Sequence, residues 1–289
     1  MNKFMFMKQN SNEFPIGRMA KVLGTSRSGF YEFSKRREGK RKQSECMLFV
    51  KIKSIFEESR KTYGSPRVHR ELIRQGIACS RKRVAKIMRK EKIQPKMRKK
   101  WKTFPSDKTV KAPNYLDQEF TASAPNRKLV SDITYIKTME GWLYVAGVMD
   151  LFSRKIIGLS MGVEPNTDLV INALRQASPQ WGDLKGALHH SDRGCQYTSR
   201  RFKDYADEQG ITLSMSAKGK CYDNAAMESF FHTLKTEHVH LCAFKTREEA
   251  RISIFEYIEI FYNRKRLHST LDYKTPQETE DSWVNRIAQ

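Results

Sequence analysis

No stretch of this 289-residue sequence is apolar for long enough to cross a bilayer. Phe and Met crowd Met1–Met7, but polar Lys8–Glu13 follows without a small-residue cleavage site, so the start does not read as a signal peptide. Cysteine is sparse: Cys46, Cys79, Cys195, Cys221 and Cys242 are odd in number and lack paired spacing. That excludes a disulfide framework or zinc knuckle and points to a reducing cytoplasm. Repeats of solenoid period are missing as well. Acid is scarce in one half only. Residues 1–128 hold 34 Lys/Arg against 11 Asp/Glu, whereas 129–289 hold 20 against 21. The entire excess of the +22 chain therefore lies in front of a nearly neutral body. Such an asymmetry suits an arm that neutralises phosphates, although charge alone does not separate DNA from RNA or anionic lipid.

What is present in the basic half is helical. Residues 14–37 read as two short helices, Ile16–Leu23 and Ser26–Phe33, broken at Gly24-Thr25 with Thr25 or Ser26 as a cap. This is the outline of a helix-turn-helix. In 46–93, Met47, Val50, Ile52, Ile55 and Phe56 have helical spacing, Tyr63-Gly64-Ser65-Pro66 breaks it, and Val68–Gln75 resumes it. Ser80 then caps Arg81–Glu91, where Val84, Ile87 and Met88 face inward. Arg81, Lys82, Arg83, Lys86, Arg89 and Lys90 point elsewhere, a basic face that can enter a major groove or track a backbone. The basic run Lys96–Lys102, which includes Arg98, Lys99 and Lys100, precedes Pro105, Pro113 and Pro125. Residues 94–126 are thus expected to be a linker that lies along DNA or is disordered without it.

From Lys128 onward the pattern changes to short strands. Leu129–Lys137, Trp142–Met149 and Lys155–Val163 are separated by turns at Glu140-Gly141 and Asp150–Arg154, an antiparallel meander. Asp168–Ala177 reads as a helix, Gly186–His190 as a strand, Ser199–Gln209 as a helix and Ile211–Met215 as a strand, with a long helix starting near Tyr222. The order βββαβαβα predicts an α/β fold, a mixed five-stranded sheet with flanking helices.

Three acids stand out within this frame. Asp132 lies mid-strand, where a carboxylate must pair, bind metal or bear a large desolvation cost. Asp192 follows a strand end, and Glu228 lies in the last helix. In that helix Met227, Phe230, Phe231 and Leu234 form the apolar face, with Asn224, Glu228 and Lys235 in a stripe beside it and His232 at its edge. Glu228 and Lys235 are two turns apart and able to serve one cleft. Carboxylates without Cys or His suit hard divalent ions, Mg²⁺ or Mn²⁺. Two such ions about 3.5–4 Å apart can drive in-line displacement at phosphorus. Taken singly, each acid also reads as a surface charge or a structural hydrogen-bonder. Asp150 at a strand end and Asp223 beside Glu228 are rivals.

The stretch Asp132…Asp192…Glu228, with 35 residues between the last two, resembles the DDE core of retroviral integrases and related bacterial transposases. Its flanks resemble the second-reading-frame (OrfB) transposases of two-frame insertion sequences. They include Ser131–Ile136, His190–Tyr197, Ser216–Gly219 with Tyr222–Ala225, Met227–Phe231 with Lys235, and Tyr257-Ile258 with Phe261–Arg264, Arg266–His268 and Pro276. Tyr63-Gly64 matches the preceding DNA-binding module, and the likeness covers about residues 14–280. Leu129-Val130 stands where a Trp is usual, and Cys195 where Ser is frequent.

The resemblance implies a ribonuclease-H-like core in which Asp132, Asp192 and Glu228 hold the metal and Lys235 contacts DNA phosphate. His190, His268 and the C-terminal Tyr/Asn/Arg/His cluster are expected to be structural. Lys218 and Lys220, in the loop 216–221, are further candidate DNA contacts. The implied organisation is a helix-turn-helix-like segment (1–45), a basic helical module (46–93), a linker (94–126), a catalytic core (127–240) and a helical extension (241–289). The implied activity is cleavage at element ends and strand transfer of a 3′-hydroxyl, in the cytoplasm and not at a membrane. The implied partners are DNA, a second copy of the chain and an upstream-frame product; without leucine heptads before residue 14, the chain reads as the second-frame product alone. Two other classes stay open: a DNA-binding product without catalysis, and a general ribonuclease-H-type nuclease.

Overall fold

The computed structural model describes residues 3–35, 40–96, 113–117, 119–177, 184–216 and 224–287. Arg98, Lys99, Lys100, Lys218, Lys220 and Asp223 lie outside the described residues.

The first module contains α1 (Lys3–Gln9), α2 (Ile16–Leu23) and α3 (Arg27–Lys35). Gly24, at φ 61°, ends α2 in the left-handed conformation and returns its N–H to the Ala20 carbonyl. Of the two candidate caps it is Ser26 that acts, accepting the Gly29 N–H at 2.9 Å. Helix α1 was not expected. It exists because Met7 is buried against Met19, Ala20 and Phe30, so the Phe/Met-rich start is the third wall of a small core.

The second module is α4 (Lys40–Glu58), α5 (Ser65–Arg74) and α6 (Arg81–Lys90). Pro66 occupies the first turn of α5, where a missing N–H costs nothing, and the Ser80 hydroxyl accepts the Arg83 N–H. Val84, Ile87 and Met88 are buried, as their spacing requires.

The sheet comprises β1 (Lys128–Thr138), β2 (Gly141–Asp150), β3 (Ile156–Gly162), β4 (Leu188–Ser191) and β5 (Thr212–Met215), in spatial order β3-β2-β1-β4-β5. The first three strands are antiparallel neighbours, and β4 and β5 run parallel to β1. Helices α7 (Thr167–Ala177) and α8 (Arg200–Glu208) cover one face, packing Leu169, Ala173 and Phe202 onto Leu129 and Ala146. Helix α9 (Ala225–Glu237) covers the other with Met227, Phe230, Phe231 and Leu234, all buried. Burial of each of these side chains stabilises by about 1.5–3 kcal/mol. The alternation of β1 decides which residues meet which helix: Val130 and Ile136 lie in the α9 core, and Leu129 and Ile133 in the other.

Strand β4 pairs with β1 only at residues 128–130. Just beyond, the Asn224 side chain donates to the Ser131 carbonyl at 2.9 Å, so the start of α9 is tied to β1 beside Asp132. The linker expectation needs correction in its second half. Pro113–Leu116 lies against β5: Ser214 Oγ accepts the Tyr115 and Leu116 N–H groups, Met215 N–H donates to the Pro113 carbonyl, and Leu116 is buried. A single large apolar residue in a polar stretch carries no period, so this anchor leaves no pattern in the sequence.

After α9, helix α10 (Arg247–Glu256) runs into a π-helical turn, Tyr257–Tyr262, and α11 (Pro276–Ile287) closes the chain. The basic module rests on this segment. The Tyr63 hydroxyl donates to the Lys265 carbonyl at 3.1 Å and accepts the Leu267 N–H at 2.9 Å, and Arg74 pairs with Glu278. Among the described residues no helix is long and apolar enough to cross a membrane.

Candidate active site

Strand β1 brings Asp132 to the middle of the sheet, and β4 ends one residue before Asp192. The two aspartates, with Ile133, Tyr135, Tyr144, Pro165, Gln196 and Tyr197, line a cleft of about 170 Å³. Asp132 Oδ1 accepts the Ile133 N–H at 2.8 Å, and Asp192 Oδ1 accepts the Gly194 N–H at 2.9 Å. A side chain at position 194 would put its Cβ 3.1 Å from that Asp192 oxygen, so glycine leaves the carboxylate its room.

Burial, reinforced by Asp192 and Glu228 and only partly opposed by the Ile133 N–H and Lys235, pushes the Asp132 carboxyl up to about 7. Glu228 lies exposed on α9, its carboxyl raised by partial burial. Lys235 sits half-buried on the same helix with Nζ 4.7 Å from the Tyr135 ring centroid, a cation–π contact. Burial lowers its ammonium, and Asp132 acts in the opposite direction. Glu228 and Lys235 thus lie on one helix, and both contribute to the field at Asp132.

Three carboxylates against one ammonium leave negative charge uncompensated, and their oxygens are the donors that Mg²⁺ and Mn²⁺ prefer. The buried Tyr197 hydroxyl, beside both aspartates, has no hydrogen-bond partner among the described residues. In kind, the residues present fit a divalent cation. In position they are incomplete: among the described residues no three His, Cys, Asp or Glu side chains are gathered closely enough to hold one ion. Asp132 and Asp192 share the cleft, and Glu228 lies exposed on α9.

The rivals separate cleanly where they are described. Asp150 is fully buried and accepts the Asn126 N–H, the Ser153 N–H and the Ser153 hydroxyl, so it shapes the β2–β3 turn. His190 contacts Ser214 and Ser216 Oγ at 2.8 and 3.2 Å, and His268 contacts Arg266. On α6, Arg81, Lys82, Lys86 and Arg89 are exposed as anticipated. Arg83 and Lys90 instead lean on α4, donating to Ser44 Oγ at 2.9 Å and Glu45 at 2.8 Å.

Comparison with known proteins gives this arrangement a family. The integrase core domain matches residues 122–221 and again 209–276, and an HTH-like domain matches 43–101. The insertion element IS600 31 kDa protein of Shigella sonnei is 41% identical over 93% of this chain and 100% of its own length. The transposase InsF for insertion sequence IS3A of Escherichia coli (strain K12) is 38% identical, covering 96% and 98%. The transposase for insertion sequence element IS904 of Lactococcus lactis subsp. lactis (strain IL1403) is 42% identical, covering 85% and 98%. The chain belongs to the insertion-sequence transposases with an integrase-type core.

In this transposase the HTH-like match falls on α4–α6, not on α2–α3. The second core match reaches residue 276 and so takes in the helical segment on which Tyr63 sits. Several cleft residues went unassigned in the sequence. Tyr144 and Pro165 carry no motif signal of their own, whereas Tyr135, Gln196 and Tyr197 stood within matched motifs without a role. Register supplies the missing signal, because Tyr135 pairs with Tyr144 three residues beyond Asp132.

Proposed function

We propose that this transposase is a DDE-type polynucleotidyl transferase in which Asp132, Asp192 and Glu228 hold two Mg²⁺ or Mn²⁺ ions. The observation that carries the reading is Asp132: a carboxylate in the central strand that shares one cleft with Asp192 and lies in the field of Glu228 and Lys235. When bound, the ions would activate the attacking oxygen and stabilise the leaving one. The protein's own part is placement. Asp132 and Asp192 frame the cleft, Asn224 ties α9 to β1, and Glu228 enters from that helix. Tyr197 offers an unpartnered hydroxyl to an oxygen in the cleft, and Lys235 offers a cation to a DNA phosphate.

Water attacks the phosphorus at the element end in line, the bond to the 3′ oxygen breaks, and that oxygen takes a proton to become a free 3′-hydroxyl. In the second step this hydroxyl attacks another phosphodiester, joining the strands and releasing a new 3′-hydroxyl. No covalent protein intermediate is needed. The α6 face and the 94–126 segment, with Arg98, Lys99 and Lys100, contact the duplex, as do Lys218 and Lys220. Residues 127–240 form the catalytic unit, 46–93 the end-binding module, and 1–45 a further helical module. Two ends are brought together by at least two copies, in the cytoplasm, with the upstream-frame product as a further partner.

The test is strand transfer on a labelled element-end oligonucleotide with Mg²⁺ or Mn²⁺, comparing wild type with Asp132→Asn and Glu228→Gln. Joined product from wild type alone, with DNA binding intact in all three, is the expected result. Full activity of Glu228→Gln would sink the assignment. Binding without nicking by wild type under either metal would favour a DNA-binding product without catalysis.

A further inference from the structure

Beside the carboxylate cleft lies a set of aromatic rings, two of which reach solvent. Register places Tyr135 opposite Tyr144 and Lys137 opposite Trp142, all four on one face of the β1–β2 hairpin. Tyr135 is 54% exposed and Trp142 45%. Their rings meet edge to face at 5.2 Å, and Tyr144 is half-buried in the wall of the cleft that Asp132 lines. Single exposed aromatics need no explanation, but here three are contiguous and end at the proposed reaction centre. Their rim is cationic: Lys137 is exposed on the same face, and Lys235 holds its ammonium over Tyr135.

We infer that Tyr135 and Trp142 form a stacking platform for an unpaired nucleobase of the DNA strand that passes through the carboxylate cleft. This rests on the reading of the cleft as a DNA-cutting site. A protein partner's apolar surface would have to cover two ammonium groups. A nucleotide, by contrast, brings a flat π-face for the rings and a phosphate for the lysines. A base inside a duplex presents no free face, so the occupant is one taken out of the stack next to the phosphate being cut. The hairpin is held from behind by Arg247, whose Nε donates to the Trp142 carbonyl at 3.0 Å and whose N–H donates to Glu140 at 2.8 Å. The platform is thus fixed in place before DNA arrives.

The experiment uses the full chain in EDTA, so that no strand is cut. Fluorescence anisotropy compares a labelled 12-nucleotide oligothymidylate with an abasic strand of the same length. Wild type should prefer the thymine strand by about tenfold, as a stacked base typically contributes. Tyr135→Ala/Trp142→Ala should lose that preference while still binding the abasic strand, and Trp142→Phe should keep most of it. An unchanged preference in the double variant overturns the platform. So does a double variant that merely turns an oligomer into a monomer in sedimentation, since the face would then join two copies. Running the strand-transfer assay on the same wild type keeps the two readings apart. Cutting with an unchanged preference fails the platform alone; a lost preference without any cutting fails the reaction and leaves a base-binding face.

Discussion

The Glu237 carboxylate and the Arg266 guanidinium grip each other by both prongs, Nη2 to Oε1 at 2.8 Å and Nε to Oε2 at 2.9 Å, in a site where the two side chains are only 4% and 6% exposed. Tyr257 adds its hydroxyl to Oε2 at 3.0 Å, and Arg67 of α5 approaches Oε1 at 3.6 Å. Glu237 is the last residue of α9, the helix of Glu228 and Lys235. The pair therefore anchors the far end of the helix whose near end Asn224 ties to β1. Arg266→Met should lower stability by about 3–5 kcal/mol, because it strands a buried carboxylate. Arg67→Met, which removes the longer and more exposed contact, should cost about 1 kcal/mol or less. Urea unfolding followed by tryptophan fluorescence separates the two.

The same pair sets an acid limit. Hydrogen bonds from Arg266 hold the Glu237 carboxyl below the usual carboxylate range, outweighing its burial. A depressed folded value means the stabilisation is complete above the ordinary Glu value of about 4.3 and is lost as pH falls through the lowered one. Unfolding midpoints of wild type should drop on acidification across that window. Glu237→Gln, less stable at neutral pH, should show a shallower drop; equal slopes would remove Glu237 from the account.

Tyr63 is expected to fasten the HTH-like module to the body. Tyr63→Phe keeps the ring and removes both hydroxyl bonds, leaving the Leu267 N–H without its acceptor. A loss of about 1–3 kcal/mol should follow. Hydrogen exchange should quicken at Leu267 and across α5 while β1–β3 stay protected; uniform quickening would argue against a local latch.

On α6 the basic side chains should not weigh equally. Lys82→Ala or Arg89→Ala should weaken duplex binding and flatten its salt dependence by about one unit of slope each. Arg83→Ala and Lys90→Ala should change it less, since Ser44 and Glu45 already hold those groups. Affinities measured between low and moderate salt decide this, and equal slopes for all four would contradict it.

Gly158 on β3 has no room for a side chain. A Cβ there would stand 2.1 Å from the Ala173 carbonyl oxygen, which is backbone and cannot turn aside. Gly158→Ala should therefore push α7 off the sheet and destabilise by about 1–3 kcal/mol. A thermal midpoint equal to that of wild type would show that the helix yields freely.

Periodicity carried the sheet and its helices into view, since alternation in β1 and 3.6-residue spacing in α9 are consequences of burial against a core. It failed where burial is not periodic. Helix α1 is too short to show a face, Leu116 is a lone anchor, and β4 begins at Leu188 where the sequence pattern points to Gly186. Of the candidate site, Asp132 was legible because a charged residue inside a strand breaks the pattern around it, whereas Asp192, beyond a strand end, and Glu228, on a helix, joined it through the family resemblance. The Tyr135–Trp142 face was not, because aromatic residues are ordinary in strands, and only register shows that these two meet. Tyr63 was visible as a motif but not as a latch, for its partners are 202 and 204 residues away.

That separation has a consequence for how the chain is made. Synthesis runs from the amino end, so α4–α6 leave the ribosome well before Leu267, which receives Tyr63 and lies 204 residues beyond it. Until Leu267 follows, the HTH-like module has no body to sit on, and a polypeptide halted before that residue would keep the module without its seat. Docking therefore waits until the cleft has been made, reserved for molecules that already carry every one of its residues.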